Sequence, residues 1–527
     1  MSAGHKSKKV DRKLPSLILT IFSIALFFPP LNAASGTGLL RLALTSIAVG
    51  MLLILLILQK RIQYALTKPL LILSIYPLYL CLHAILEGNV STAIWGTADR
   101  NLGVITSFVC LGFYVLGFLI RVENKGSFIW IISALEIGQF IIFSTKYFGL
   151  VDNSSLGSFY NSNPTSLLFG LTTIVLLVNF FESKPLNFGH SIQVFILLAI
   201  SVGVLVWIGS AQGYIGFFGS LILYSLKFSN KLSKNLARIQ IFLILLGYTV
   251  FISYVLGSKM PSISRANGNS FYERLEIYKT SMRIIGENLL FGIGIDEFNL
   301  GYYKYNYTSN LKLVDNAHSI LLQITTTVGI VGLAIAGFVL IRTILLSLPN
   351  AGAKNSHLVA GMHFYLISGC FAIQVPGIEF LLFFILGFGL TTEVKTEKCN
   401  QVKKPVAGMI VVSALLTVAL SGKAFFSYTE FSRAVALPIS SPLESVKILS
   451  KESDSVMDIS LLFRAGERAI AMKDKKLGLE ILQSMITRWP TDQRTVAYAL
   501  TLGNFFSDQA IVSLGKQLDI AAHTQGD

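Results

Sequence analysis

Long apolar stretches recur along most of the chain, separated by short polar breaks, and this pattern limits the possible fold more than any other feature. A helix that crosses a bilayer needs about 17–25 mostly apolar residues. Only 13% of the residues are charged, whereas ordinary globular domains carry about 25%. The pattern therefore predicts an all-α polytopic membrane protein with about 12–13 transmembrane helices. The predicted spans lie at 15–32, 39–58, 69–86, 103–120, 127–148, 165–181, 191–208, 213–227, 239–256, 319–345, 358–375, 378–392 and 405–425.

Lysine and arginine fall mainly in alternate loops, which predicts the orientation because cytoplasmic loops carry an excess of positive residues. This alternation places the N-terminus in the cytoplasm and the C-terminus outside. A cleaved signal peptide over 1–34 is an alternative that leaves the later spans in the same orientation. The net charge of +15 arises largely from these short loops, so no nucleic-acid partner is predicted. The basic positions are 6–13, 60–68, 121–125, 184, 227–238, 354 and 395–404.

The predicted organisation has three parts. Residues 1–14 form a basic cytoplasmic tail, residues 15–427 a membrane domain with a large outer loop at 257–318, and residues 428–527 a small extracytoplasmic α-helical tail domain. Small residues and a proline in this tail fit one tetratricopeptide repeat, although a plain helical bundle fits nearly as well. The four cysteines lack metal-ligand spacing, so neither a zinc site nor a disulfide framework is expected. The tail helices are predicted at 455–472, 475–488, 493–506 and 508–521.

An amphipathic helix is predicted within the outer loop, over residues 270–289. Its apolar residues recur in steps of three and four, as on one face of a helix. Such a helix either lies on the bilayer surface or packs on the membrane domain. The apolar face is predicted to carry Phe271, Leu275, Tyr278, Met282, Ile285 and Leu289, with Arg274 at its edge and Arg283 opposite.

A polar cluster leads directly into the span at 319–345. Asp315 or Asn316 suits the N-cap of that helix, which would place His318 in the first turn. The helix dipole there disfavours an imidazolium ion, so His318 is expected to be neutral and able to accept a proton as a general base. Asp315, one turn earlier, would orient the imidazole ring. The alternative is that His318 is an interfacial residue that merely caps the span.

The same segment resembles the O-antigen ligase and polymerase superfamily, in which a His is followed by a Leu-Gln pair and a Gly-x-x-Gly. The preceding loop also resembles that family, in an Arg-Leu-Glu start that leads to a Leu-x-Gly-x-Gly turn. Further similar pieces occur at 95–103, 145–150 and 157–168, especially to members with a repeat-bearing tail. The resemblance covers about 90–390 and implies a GT-C-like membrane fold. The matching residues are Arg274, Gly292, Gly294, His318, Leu322, Gln323, Gly329 and Gly332.

One position departs from the family pattern. Gln212, in "WIGSAQGYIG", stands where the family usually has an arginine at the outer start of a mid-chain span. Glutamine can hydrogen-bond a phosphate but carries no charge. Either Arg100 or Arg265 supplies the missing charge, or this chain handles its substrate differently.

The resemblance implies a glycosyltransferase that moves a glycan from an undecaprenyl-diphosphate carrier to a hydroxyl of a lipid, another glycan or a protein. Arg274 is expected to hold the diphosphate, because guanidinium binds phosphate bidentately, and His318 to deprotonate the acceptor. No cofactor and no metal are expected, since the first outer loop lacks an acidic pair. The expected location is the bacterial plasma membrane. The predicted substrate-binding residues are Arg100, Gln212, Arg265, Arg283, Asn316 and Gln323.

Two other functions remain open from the sequence. A transporter or flippase of lipid-linked sugars would show internal repeats and interrupted spans, and no internal repeat is apparent. A membrane-anchored scaffold that binds partners through its tail would not need Arg274 or His318. Within the fifth span, Glu136 and Gln139 are either functional intramembrane groups or a buried structural pair.

Overall fold

The computed structural model describes only part of the chain, and that part is helical apart from its turns. Its helices are numbered here in chain order. The described residues are 13–27, 37–58, 68–87, 90–96, 101–123, 126–147, 162–182, 188–208, 210–228, 270–305, 314, 316–347, 356–369, 374–389, 404–436, 444, 446–448, 459–488, 490 and 492–524. The first nine helices are α1 (Lys13–Phe27), α2 (Thr37–Leu58), α3 (Lys68–Glu87), α4 (Val90–Trp95), α5 (Val104–Glu123), α6 (Gly126–Tyr147), α7 (Ser162–Glu182), α8 (Phe188–Ile208) and α9 (Ala211–Phe228). The others are α10 (Ser270–Glu287), α11 (Phe298–Tyr305), α12 (Ile320–Ser347), α13 (Ser356–Gly369), α14 (Pro376–Gly389), α15 (Lys404–Ala436), α16 (Ile459–Ala471), α17 (Lys475–Arg488), α18 (Gln493–Phe505) and α19 (Gln509–Thr524).

The helices coincide with the predicted apolar spans. Each predicted span except 239–256, which lies outside the described residues, overlaps one helix. Within the described ranges, four helical segments are long and apolar enough to cross a bilayer, and several shorter apolar helices accompany them. An all-helical fold with these apolar helices fits a polytopic membrane protein. The long segments are Leu40–Leu58, Pro69–Leu86, Val104–Arg121 and Ile320–Thr343.

The centre of the helical core is the contact between α5 and α14. A Cβ atom added at Gly117 would overlap the Phe384 carbonyl, and one added at Gly387 would overlap the Tyr114 carbonyl. Small residues let two helix backbones approach closely where apolar burial alone does not hold them together. Aromatic rings fill the space beside this contact, with Phe113 stacked on Phe380 at 5.0 Å between ring centroids.

The four tail helices lie where they were predicted. Tyr498 of α18 packs against Gly466 of α16, and its hydroxyl donates a hydrogen bond to the Gly478 carbonyl at 3.2 Å. Whether these helices form a separate domain, and whether the tail is tetratricopeptide-like, stay predictions. The helix α15, which precedes the tail, continues from Lys404 to Ala436 through the predicted boundary at 427.

The tail contacts the segment 270–305 through α11. Tyr303 packs against Val496, Leu500 and Leu518 of the tail helices. The Tyr303 hydroxyl also donates a hydrogen bond to the carboxylate of Asp519. Burial, and then the adjacent Asp519, raise the pKa of Tyr303 well above its usual range, so the hydroxyl remains a donor at neutral pH. The tail is therefore attached to the loop that carries Arg274.

Candidate functional site

The helix α10 packs along the first half of α12, and the two helices run in the same direction. Midway along α10, the Tyr278 hydroxyl reaches the carbonyl of His318, just before α12, at 3.4 Å. Beyond the end of α10, the Leu289 carbonyl accepts a hydrogen bond from the Ile330 amide at 2.8 Å. Of the two predicted placements, the structure therefore has the helix packed on the membrane domain.

The buried face of α10 differs from the predicted one. Ile277, Ser281 and Ile284 are buried, whereas Met282 and Leu289 of the predicted apolar stripe are more than half exposed. Leu290 and Phe291 continue this exposed apolar surface beyond the helix. The predicted stripe is thus only partly buried, because Tyr278 contacts the turn before α12 whereas Met282 and Leu289 do not. Its exposed residues are apolar, as expected for a surface in contact with lipid.

The helix α12 is interrupted at Gly329, where φ is 70° and ψ is −174°. This conformation is essentially restricted to glycine. The interruption lies nine residues after Ile320, or about 14 Å along the helix at a rise of 1.5 Å per residue. The Leu-x-Gly-x-Gly turn at 290–294 packs into it, and Gly292 has a φ of 75°. The two glycine motifs that resemble the superfamily therefore meet in space.

Hydrogen bonds between the turn and the interruption replace those that a continuous helix would make. The amides of Ile293 and Gly294 donate to the carbonyls of Thr326 and Thr327, at 2.9 and 3.0 Å. In return, the amides of Ile330 and Val331 donate to the carbonyls of Leu289 and Leu290, at 2.8 and 3.3 Å. Irregular backbone is tolerated at membrane depth only where its polar groups are paired in this way.

Two side chains of α3 bind further backbone carbonyls of the turn and of the interruption. The sequence did not reveal this role. The Tyr79 hydroxyl donates to the Val328 carbonyl at 3.0 Å. His83 Nε2 lies 2.7 Å from the Phe291 carbonyl, and because a carbonyl only accepts, that nitrogen carries a proton. Tyr79 and His83 are four residues apart and so lie on the same face of α3.

His318 lies just before α12, in the left-handed conformation with a φ of 51°. The prediction that Asp315 or Asn316 caps the helix is therefore wrong, because α12 begins at Ile320. His318 is consequently not in the first helical turn. Instead, the Asn316 side chain accepts a hydrogen bond from the His318 amide at 2.8 Å. Because His318 has a positive φ, this bond from the amide two residues ahead of Asn316 belongs to a turn and not to a helix start.

Gln323, a predicted substrate-binding residue, also holds this turn. Its Oε1 atom accepts a hydrogen bond from the Ala317 amide at 2.8 Å. Asn316, Gln323 and Tyr278 together contact the backbone of residues 317 and 318. The conformation of His318 is therefore determined by three surrounding side chains.

The predicted arginines of α10 lie on different sides of that helix. Arg274 is partly buried and lies one turn before Tyr278, and therefore on the side of α10 that faces His318. Arg283 follows Arg274 by nine residues and therefore lies about 180° around the helix from it. Its guanidinium contacts the Tyr305 carbonyl at 3.4 Å, at the end of α11. Arg274 thus lies on the side of α10 that faces the His318 turn, and Arg283 on the opposite side.

Gln212 lies in the first turn of α9 and is only 1% exposed. Neither its Oε1 nor its Nε2 atom has a hydrogen-bond partner among the described residues. It lies at the same end of the bundle as His318. A side chain added at Gly216 of α9 would meet Ser368, near the end of α13. One added at Gly369, the last residue of α13, would meet Ile320 at the start of α12. The end of α13 therefore lies between α9 and α12. An unpaired amide in a buried position is costly, unless a ligand supplies the missing partners.

Three predicted site residues, Arg100, Arg265 and Asp315, lie outside the described residues. One buried acid that the sequence did not single out is near the site. Asp296, with a φ of 61°, follows the double-glycine turn by two residues, and its Oδ2 atom accepts a hydrogen bond from the Leu102 amide at 3.2 Å. Its position in a Gly-x-Gly-x-Asp sequence was the available signal. Asp296 joins the turn to the segment that follows α4.

Left-handed residues other than glycine are concentrated in this region. Asn101, Asp296 and His318 are three of the five such residues in the described part of the chain. Each costs on the order of 1 kcal/mol or more and persists only where its surroundings enforce it, as commonly occurs at functional sites. The structure therefore defines a multi-helix membrane protein with an ordered, strained turn beside a histidine and an arginine.

The comparison with known protein families identifies this site further. Residues 196–337 match the family model described as O-antigen ligase. The match includes α9, α10, the double-glycine turn, His318 and the interruption of α12. This match supports the O-antigen ligase and polymerase superfamily and confirms the resemblance seen in the sequence. No curated protein matches the chain. The matched family implies glycan transfer of the ligase or polymerase type, with a lipid-linked glycan as substrate.

Proposed function

We propose that the protein transfers a glycan from an undecaprenyl-diphosphate carrier to an acceptor hydroxyl, at the extracytoplasmic face of the bacterial plasma membrane. The observation that carries this proposal is the contact between α10 and the His318 turn, because it places Arg274 on the same side of α10 as the histidine. An arginine on this side of α10 and a histidine in the facing turn would supply the two groups that the reaction requires.

Arg274 is assigned to the diphosphate of the donor. The anomeric carbon of the glycan is already activated, since diphosphate is a good leaving group, and the charge that develops on that group must be stabilised. A guanidinium ion can bind two phosphate oxygens at once in a fixed geometry. Gln212 is assigned to the same donor, because its buried amide has no partner among the described residues, and phosphate oxygens or sugar hydroxyls could provide one.

His318 is assigned as the general base that removes the proton from the acceptor hydroxyl. The hydroxyl oxygen then attacks the anomeric carbon, the bond to the diphosphate breaks, and the proton remains on the imidazole. Asn316, Gln323 and Tyr278 fix the backbone on either side of His318, which holds the ring in position before the substrate binds. The proposed reaction uses no metal ion, and Asp315 is proposed to orient the ring.

Turnover by the purified full-length protein tests this proposal. The protein would be supplied with an undecaprenyl-diphosphate glycan and candidate acceptors, and the released carrier diphosphate would be measured. His318→Ala and Arg274→Ala are each expected to lower turnover at least about 100-fold, the usual contribution of one positioned acid–base or charge-stabilising group. EDTA is expected to leave turnover unchanged.

Lys279→Ala is a matched control for Arg274→Ala. Lys279 is an exposed cation on the same helix, and it pairs with Glu276 at 2.9 Å. Its removal is expected to leave turnover unchanged. Full turnover in both His318→Ala and Arg274→Ala would contradict the site assignment. Movement of intact lipid-linked glycan across vesicles, without release of the diphosphate, would instead support a transporter.

A further inference from the structure

The helix α11 is eight residues long, and two of its sides are buried. Isolated helices shorter than about 12 residues are only marginally stable in water, so α11 depends on the residues that pack against it. Phe298, Tyr302 and Tyr305 lie within about 60° of one another around the helix axis. Tyr303 lies about 100° or more from each of them. All four side chains are buried, so each of these two sides of the helix has its own packing partners.

One side of α11 packs in the same apolar cluster as the residue that precedes His318. This cluster contains the three rings of that side together with Ala317, which is fully buried. The Tyr305 hydroxyl also accepts a hydrogen bond from the Asn288 side chain at 3.2 Å. The position of α11 therefore affects the packing around the His318 turn. The other buried members of the cluster are Ile277, Ile284 and Val314.

The second side of α11 is covered by the tail. Tyr303 packs in a cluster with Val496, Leu500 and Leu518, which all belong to the tail helices. Its hydroxyl donates a hydrogen bond to the carboxylate of Asp519, and a bond to an ionised acceptor is stronger than one between neutral groups. The helix α11 is therefore held between the tail on one side and the cluster of Ala317 on the other.

The His318 turn depends on support from its surroundings. The amides of Ala317 and His318 donate to the side chains of Gln323 and Asn316, and His318 has a positive φ of 51°. A residue other than glycine stays in this conformation only where neighbouring groups enforce it. Weaker packing around Ala317 would therefore allow His318 to leave it.

We propose that the tail is a positioning module of the transferase, and that Tyr303 is the residue through which it acts. The docked tail holds α11 against the cluster of Ala317, and this packing keeps His318 in the conformation that the reaction needs. The inference rests on the proposed function, because it takes His318 as the general base. Tyr303 touches no reacting atom in this scheme, so it is a positioning residue.

Four variants of the full-length protein test this coupling. Tyr303→Ala and Asp519→Ala remove the contact between α11 and the tail from its two sides. Asp519→Asn is the conservative variant, because it keeps an oxygen that can accept from Tyr303. Glu480→Ala, at an exposed acid of the tail helix α17, is the matched control.

Hydrogen exchange followed by mass spectrometry would measure the order of the turn directly. In both variants that remove the contact, a peptide that contains Ala317 and His318 is expected to exchange at least about 10-fold faster, as for loss of one hydrogen bond to a charged group. The conservative variant and the control are expected to stay within about twofold of the wild type. The variant with both substitutions is expected to exchange no faster than Tyr303→Ala alone, because the two changes remove one shared contact.

Steady-state turnover tests whether this order serves the reaction. Tyr303→Ala is expected to lower kcat at least about 10-fold and to leave the KM for donor and acceptor unchanged, as for loss of an interaction that acts only in the transition state. Asp519→Asn is expected to keep the kcat of the wild type. A raised KM for the acceptor at unchanged kcat would show that the tail binds the acceptor instead, and would overturn the proposal.

The exchange data separate this inference from the proposed function. Unchanged exchange around His318 in Tyr303→Ala would overturn the coupling, whatever the turnover. Equal acceleration in α5, at the centre of the helical core, would also overturn it, because the whole chain would then be unfolding. Full turnover in His318→Ala, with faster exchange still present in Tyr303→Ala, would support the coupling and contradict only the assignment of His318 as the base.

Discussion

Replacement of Gly329 by alanine would test how the interruption of α12 holds the double-glycine turn. Alanine is strained at a φ of 70° and a ψ of −174°, at an expected cost of about 1–3 kcal/mol. Its Cβ atom would also overlap the Leu290 carbonyl. Displacement of that backbone would break the hydrogen bonds from Ile330 and Val331, at about 1 kcal/mol each. Together these terms give about 3–5 kcal/mol of destabilisation.

Thermal unfolding of the full-length protein in detergent would measure this effect. A loss of about 3–5 kcal/mol is expected to lower the apparent Tm by roughly 5–10 °C, and turnover should fall because the turn follows the helix that carries Arg274. Gly337→Ala is the matched control on the same helix, because a Cβ atom there meets no described atom within 4 Å apart from the backbone of its own helix. It is expected to be neutral or slightly stabilising. Equal Tm and turnover in the two variants would refute the role given to the interruption.

Three further predictions concern other parts of the chain. Gln212→Met is expected to raise the Tm, since it removes two buried polar atoms that have no partner in the described part of the chain, at a cost of about 1–3 kcal/mol. The same change is expected to raise the KM for the glycan donor. A lower Tm with an unchanged KM would contradict this. Tyr303→Phe removes the hydrogen bond to Asp519 and is expected to weaken the attachment of the tail by about 1–3 kcal/mol. Proteolysis is expected to release the tail faster in this variant than in Asp519→Asn, which keeps a hydrogen-bond acceptor. Asp508, which pairs with Lys475 at 2.7 Å and accepts backbone amides, has a pKa below its usual 3.8. The contribution of this carboxylate to stability is fully present above pH 3.8 and disappears as the pH falls through the lowered pKa. Asp508→Asn should therefore weaken the dependence of the Tm on pH in the acid range, and should leave that dependence unchanged near neutrality.

The sequence by itself determined where the helices lie, because that information is local. An apolar stretch of span length forms a helix whatever its neighbours are, since the backbone must satisfy its own hydrogen bonds in an apolar environment. This is why most predicted spans overlap a described helix and why the tail helices occur in the predicted places. The histidine and glycine motifs likewise pointed to the segment that matches the O-antigen ligase model.

Only the tertiary structure decided how the site is built, because its contacts join residues that are far apart in the chain. The start of α12 at Ile320 depends on Gln323, Asn316 and the packing of α10, so the capping preference of Asn316 was not sufficient to place it. The buried face of α10 is set by its contact with α12 rather than by its own hydrophobic pattern. Asp296 and Glu379 meet across one cavity, and no local pattern in the sequence could have paired them.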